Sequence, residues 1–408
     1  MKKGMRGLTV LACAGLFTFA AAGDDNWRLR MISNDGLGDR DNVGVGRLAA
    51  HGDWLFLCAW NTQTGLKIYR TKNAKTWERI SPDGFNGNVN NFTVAGFVWI
   101  GDYLYAGTWN QKDGAAMFRA KADAPNAADV KWETIVEGGF GNPRNWGFTH
   151  IHEFKNQIYV GCFNFIEGSE VFRSDTGDPG TWTMVCPKGW GSKVNTDSTM
   201  MLVHDGYLYL GTETARDAGY TEGTALWRTD GNLARPYNQW QQVNTNGFGN
   251  GRNHNICGLA EFGGRIYAST WNQTQGYEVW RATLGKTVPF SDWERVVSGG
   301  LGDPGNVFAT CMVTMGDTLF VSAIGTFETV PALYTLPNAK TKTAHGGSLI
   351  KTRDGVNWEK VDAPVFMDPP HLGIQWLTPF KGRLYIGSQA IDHTMELWVY
   401  EPVPNTSE

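Results

Sequence analysis

Several common carriers of chemistry are missing from this chain of 408 residues. It has no C-x-x-C pair and no C-x-x-C-H, the spacings of thiol redox motifs and haem attachment. Beyond residue 22 there remain Cys58, Cys162, Cys186, Cys257 and Cys311, an odd and widely spaced set. No disulfide framework follows from it. Cys58 stands where sister segments carry Gly107, Gly161 and Gly211, as a small buried hydrophobe would. Basic residues are nowhere clustered, which excludes the positive stripe of a nucleic-acid surface. No run of 18 apolar residues occurs after residue 22, so no membrane span is expected. Nothing in the sequence implies a cofactor.

The chain opens on an address. Lys2, Lys3 and Arg6 precede an apolar run from Leu8 to Ala22, which ends in small residues before Gly23-Asp24-Asp25. This is the pattern of a secretory signal peptide, and it places the mature protein outside the cytoplasm, periplasmic or secreted. Cys13 lies too early in the run for lipidation to be expected. Residues 1–22 hold three basic side chains and no acid, so residues 23–408 carry 33 basic against 40 acidic residues, a net charge of −7.

What is abundant is glycine (51) and tryptophan (18), and both recur at fixed places. A strand-like run repeats seven times, beginning at Trp54, Tyr103, Gln157, Tyr207, Arg265, Thr318 and Arg383. Turn pairs such as Gly52-Asp53, Gly101-Asp102 and Asp205-Gly206 precede it and read as hairpins. A further strand follows in each copy (KIYRT, AMFRA, EVFRS, ALWRT, EVWRA, SLIKT, ELWVY), and a fourth is marked by Trp77, Trp132, Trp182, Trp240, Trp293, Trp358 and, at the start, Trp27. A Gly-aromatic/Leu-Gly loop then leads to Asn42, Asn91, Asn145, Asn195, Asn253, Asn306 or His371. Four strands per copy at periods of 49 to 65 residues predict an all-β fold, a seven-bladed β-propeller of four-stranded antiparallel blades. Trp27–Ser33 supplies the outer strand that the last copy lacks and so closes the ring. Residues 23–408 are then a single domain.

Thr352-Arg353-Asp354-Gly355-Val356-Asn357-Trp358, with Arg228-Thr229-Asp230-Gly231 and Arg173-Ser174-Asp175 as looser copies, resembles the Asp-box repeat of the sialidase-like β-propellers. The resemblance implies that Asp caps a turn between third and fourth strands and that Trp packs between blades. It does not imply catalysis, since no positions match the arginine triad and Tyr/Glu pair of sialidases.

Function is sought at the mouth, where loops vary over a rigid scaffold. The asparagine ring either binds a cation or sugar or closes its own loops. The pairs Trp60-Asn61, Trp109-Asn110, Phe163-Asn164 and Trp271-Asn272 either stack and bond a pyranose or pack between blades. Copies four, six and seven depart from the repeat. With His254 of copy five they offer Glu213, Asp197, Asp217, Arg216 and His371 as catalytic candidates, a carboxylate pair for glycoside cleavage or a His/Arg set for a lyase. His150 and His152 share one face of a strand, two ligands of an incomplete metal site, so no metal is expected. The leading expectation is a binding or scaffold protein that recognises a glycan or a protein partner. The alternative is a glycoside hydrolase or polysaccharide lyase built on copies four to seven.

Overall fold

In a computed structural model, the residues described are 27–214, 222–283, 287–326, 345–363, 366, 371–390 and 394–403. The segment 1–22, read above as a signal peptide, lies outside them. So do Arg216 and Asp217 and most of the copy-six insertion.

Alternation of apolar and small residues builds the strands, and left-handed glycines turn them. Gly44–His51 pairs with Trp54–Trp60 around Gly52, whose φ is 53°, because a hairpin of this tightness needs positive φ. Lys67–Thr71 adds to the second strand and Glu78–Arg79 to the third, all antiparallel. The same order recurs in six more sheets, whose first strands are Thr93–Ile100, Gly147–Phe154, Asn195–His204, Asn255–Phe262, Asn306–Met315 and His371–Phe380. The fold is all-β, and the helices among the described residues are three or four residues long and confined to loops.

The seventh sheet takes its outer strand from the other end of the sequence. Trp27–Ser33 pairs with Glu396–Pro402 in register from Trp27↔Pro402 to Met31↔Trp398. Glu401 of that strand accepts hydrogen bonds from Arg28 and Arg30 at 2.8–3.2 Å.

Neighbouring sheets are joined where the chain leaves the second strand. The amides of Asn61, Asn110, Asn164, Thr214 and Asn272 each donate to a carbonyl at the start of the next first strand, those of Phe92, Trp146, Thr196, His254 and Val307. Each first strand packs on the next, and His371–Phe380 packs on Gly44–His51. Every first strand also carries a bulge, with register breaks at Val45/Arg47, Val94/Gly96, Phe148/His150, Ser198/Met201, Ile256/Gly258, Phe308/Cys311 and Ile374/Trp376. A bulge leaves one residue unpaired and re-aims it. Several of these residues bond to the neighbouring sheet. Thr149 Oγ1 donates to Ser198 O (3.0 Å), Thr199 Oγ1 to Ile256 O (2.5 Å) and Thr310 Oγ1 to Ile374 O (2.5 Å).

The rim is held by aromatics. In the loops that follow the fourth strands the aromatic residue after the glycine has a positive φ, as Phe85 (67°), Phe140 (61°), Trp190 (59°) and Phe248 (56°) do. That conformation costs a side-chain-bearing residue roughly 1–2 kcal/mol. It swings each ring onto the third strand and the marker tryptophan of the following sheet. Phe140 stacks on Phe172 at 4.0 Å and meets Trp182 at 5.5 Å; Trp190 stacks on Trp227 at 5.0 Å and meets Trp240 edge-on at 4.9 Å. The marker tryptophans Trp132, Trp240 and Trp293 then donate their indole N–H backwards to Ile80, Val185 and Val243 carbonyls at 2.8–2.9 Å. They stand just before the fourth strands, such as Gln241–Gln242 and Glu294–Val297, and join each sheet to its predecessor. Asp354 lies in the turn between Leu349–Thr352 and Glu359–Lys360. Asp354 accepts from Val356 and Asn357 amides at 2.8 Å, and these bonds hold its carboxyl well below the usual range.

Replacing Trp240 with Phe keeps the ring but leaves the Val185 carbonyl buried without its indole donor. The expected loss is about 1–3 kcal/mol. Urea unfolding would show it as a lower midpoint with unchanged slope; an unchanged midpoint would mean the bond contributes nothing to joining the sheets.

Candidate functional site

A cavity of about 110 Å³ lies where the seven first strands converge. The bulges explain its lining. Gly46, Ala95, Thr149, Thr199, Met200, Cys257, Thr310 and Gln375 all fall within the register breaks and all line it, together with Arg47, Asp197, Asn255 and Trp376. Towards the loops its walls are aromatic: Trp60, Phe92, Trp109 and Phe308.

The charged part is asymmetric. Asp197 and Glu213 are direct cross-strand partners in sheet four, and Glu213 also pairs with Asn255 of sheet five. Both carboxyls are buried, at 5% and 6% exposure. Thr149 Oγ1 donates to Asp197 Oδ1 at 2.7 Å, and Asn255 Nδ2 donates to Glu213 Oε2 at 2.7 Å. Burial, then the neighbouring Glu213 carboxylate, push the Asp197 carboxyl well above the usual carboxylate range. Arg47 supplies the cation. Its Nε donates to Ala95 O at 2.7 Å, and its guanidinium lies 4.0 Å from the centre of the Trp376 ring. Two acceptors, Asn255 Oδ1 and Gln375 Oε1, are buried with no hydrogen-bond partner.

The structure thus brings Asp197 and Glu213 together. His254 is fully buried, 4.7 Å from the Trp271 ring, and its Nδ1 lies 3.3 Å from Arg252 O. His371 begins a first strand opposite Ala390. Of the aromatic–amide pairs, Trp60 and Trp109 reach the cavity. Trp271 is buried between His254 and Phe308, 4.4 Å from the latter ring, and Phe163 packs on Trp109 at 4.9 Å. The asparagines are buried and engaged in turns. Asn61, Asn110, Asn164 and Asn272 each donate to the loop asparagine 19 residues earlier (Asn42, Asn91, Asn145, Asn253) at 2.9–3.0 Å. Their carbonyl oxygens accept from backbone amides two and three residues ahead, as Asn110 does from Lys112 and Asp113. The loop asparagines in turn donate to glycine carbonyls, Asn145 to Gly139 O at 2.9 Å.

His150 and His152 do share a face, with ring centres 6.1 Å apart, and burial holds both below the ordinary histidine value, His152 at about 4. Among the described residues no group of three His, Cys, Asp or Glu stands ready to hold a metal. All five described cysteines are free and buried. Sequence reasoning passed over Arg47, Thr149, Asn255, Gln375 and Trp376. The one available signal was a lone arginine in the otherwise apolar segment VGVGRLAA.

No protein family matches the sequence, and no curated protein does. Among solved structures, the fold is similar to one from a study of two prolyl endopeptidases, with a TM-score of 0.50 at 11% identity over 90% of this chain. This chain spans about half of that one (52%). A luciferin-regenerating enzyme aligns with a TM-score of 0.44 at 10% identity, over 76% of this chain and 91% of the other. At such identity the endopeptidase likeness is one of fold alone, and with the strand order it identifies a propeller-like all-β protein. No helix among the described residues is long and apolar enough to cross a membrane.

Asp197 binds a proton in the folded state that the unfolded chain releases near pH 4. Its stabilising contribution is therefore full at lower pH and is lost as pH rises towards its elevated native value. Asp197→Asn removes that loss, so the melting temperature of the variant relative to the parent should climb from pH 4 to pH 8 in calorimetric scans. A difference that stays flat with pH would show Asp197 titrating as it does unfolded.

Proposed function

We propose that the protein is an exported seven-bladed β-propeller, its ring completed by Trp27–Ser33, which binds the polar end of a glycan in the cavity among its first strands. The packing of the seventh first strand on the first supports the closed ring, as does the bond from Trp376 Nε1 to Leu48 O at 2.9 Å. The observation that carries the binding role is the composition of the cavity. Aromatic faces at its loop end suit the C–H face of a sugar, and beneath them Arg47, Asp197, Asn255 and Gln375 supply hydrogen bonds that fix hydroxyls. Exposed Phe165 and Ile166, in the turn after the second strand of sheet three, extend that face for a longer chain or a protein surface.

A carbohydrate-active enzyme is the second reading, and one observation favours it. A carboxyl pushed well above the usual carboxylate range by burial and by a neighbouring carboxylate is the arrangement of a general acid and its partner.

Retention and product release on a polysaccharide array, read by mass spectrometry, separate the two. Trp60→Ala and Trp109→Ala should each weaken retention at least tenfold with the far-ultraviolet circular dichroism unchanged; full retention by both folded variants would remove the aromatic walls from recognition. If new oligosaccharides appear, Glu213→Gln should stop their release while retention persists. Undiminished release would exclude Glu213 from the chemistry.

A further inference from the structure

Apolar surface at the mouth is concentrated in one sector, sheets one to three, whose mouth loops all fall within the unbroken stretch 27–214. Ala95, Trp109 and Phe163 form a buried cluster there, separate from the larger cores, with half-buried Phe92 and Trp146 packed on it. Ring contacts extend the cluster in both directions. Trp60 lies 5.8 Å from Phe92, and Phe163 lies 6.0 Å from Trp146 and 6.4 Å from Phe165, these last two pairs at interplanar angles of 29° and 20°. At the same positions sheets four and five carry Thr196 with Glu213 and His254 with Trp271, none more than 6% exposed. A row of rings therefore runs from the cavity wall, where Trp60 and Phe92 stand, to the rim of sheet three.

The rim end of that row is held out to solvent. Phe165 and Ile166 are 40% and 48% exposed, where the corresponding turns carry Thr62-Gln63, Gln111-Lys112 and Gln273-Thr274. Asn164 Oδ1 accepts from the amides of Ile166 at 3.2 Å and Glu167 at 2.8 Å. The Glu167 carboxylate accepts from Asn142 Nδ2 at 3.0 Å, Arg144 Nη1 at 2.6 Å and Lys188 Nζ at 2.8 Å. The turn is thus fastened on both sides of the two apolar side chains, and it presents them instead of burying them. Exposed apolar groups continuous with a packed aromatic cluster mark a binding surface. A surface already fastened gives up little freedom when it binds.

A succession of rings calls for a ligand that repeats an apolar face. An extended β-linked pyranose chain does so, offering a flat C–H face at each unit, whereas an α-linked coil turns its faces away. The cavity at the inner end measures about 110 Å³, roughly four waters at ~30 Å³ each, so it takes the end of a chain and not its length. On the glycan-binding reading above, we infer that the ligand is a linear β-linked glycan, one end seated in the cavity and the following sugars laid across Trp146, Phe165 and Ile166 of sheet three. The remaining sheets then frame the end of the chain, and sheet three sets the direction in which it leaves.

Titration calorimetry against gluco-, manno-, xylo- and N-acetylchito-oligosaccharides, all β-1,4-linked and each of two and of six units, tests this, with α-linked malto-oligosaccharides beside them. At least one β-linked series should bind, its six-unit member at least tenfold tighter than its two-unit member. The double variant Phe165→Gln, Ile166→Thr carries the residue pair of the corresponding turn in sheet five and should keep the parent's melting temperature. It should bind the six-unit chain no tighter than the two-unit chain and leave the affinity of the latter unchanged, whereas Trp60→Ala should weaken both. Equal affinity for the two lengths, undiminished binding of the long chain by the double variant, or a length gain confined to the α-linked series would each overturn the inference and leave the glycan reading standing. Binding of no oligomer would overturn the glycan reading, and this inference with it.

Discussion

Contact between adjacent sheets is the constraint on which everything else rests. A four-stranded sheet of this size has two apolar faces and cannot bury either alone, so each must lean on a neighbour. Here the leaning is made specific at two radii. Near the centre, bulge hydroxyls such as Thr149, Thr199 and Thr310 donate to carbonyls of the next first strand. At the rim, indoles such as Trp132, Trp240 and Trp293 donate to carbonyls of the previous sheet. One set of bonds points forward along the chain and the other backward, which fixes the angle between sheets as well as their separation.

The cavity is a by-product of the same device. A regular first strand would turn alternate side chains into its own sheet's packing. The bulge frees a residue from that alternation and presents it to the centre, where a small residue such as Gly46 makes room and a longer one such as Arg47 reaches across. A β-carbon at position 46 would meet the Thr93 hydroxyl, so a larger residue there requires that side chain to turn away. The cavity is thus lined from hydrogen-bonded strands, with aromatic side chains towards the loops.

The architecture was legible because its signals are local and repeated. Tight hairpin turns and one tryptophan per copy each report a backbone requirement that recurs from sheet to sheet. The pairing of Trp27–Ser33 with Glu396–Pro402 followed from counting strands. The placement of Asp197 beside Glu213 was half legible, as two departures from the repeat in one copy. The bulges were not legible, because one extra residue in a strand changes no residue type and is recorded only in hydrogen bonds. Hence Arg47, Asn255 and Gln375 were missed. The asparagines misdirect attention for the opposite reason: a side chain that closes a turn and one that binds a sugar look the same until their partners are known, and Asn110 bonds to Asn91, Lys112 and Asp113.

The seam between Trp27–Ser33 and Glu396–Pro402 also sets a clock. During synthesis the first of these strands leaves the ribosome long before its partner, since Trp27 pairs with Pro402, 375 residues later. At roughly 5–20 residues per second, that edge waits on the order of 20–75 s without a ladder. An unpaired apolar edge would recruit other chains in that time. Arg28 and Arg30, which meet Glu401 in the finished molecule, place two positive charges on the waiting strand. The residues that fasten the seam at the end are the ones that keep it solitary until then.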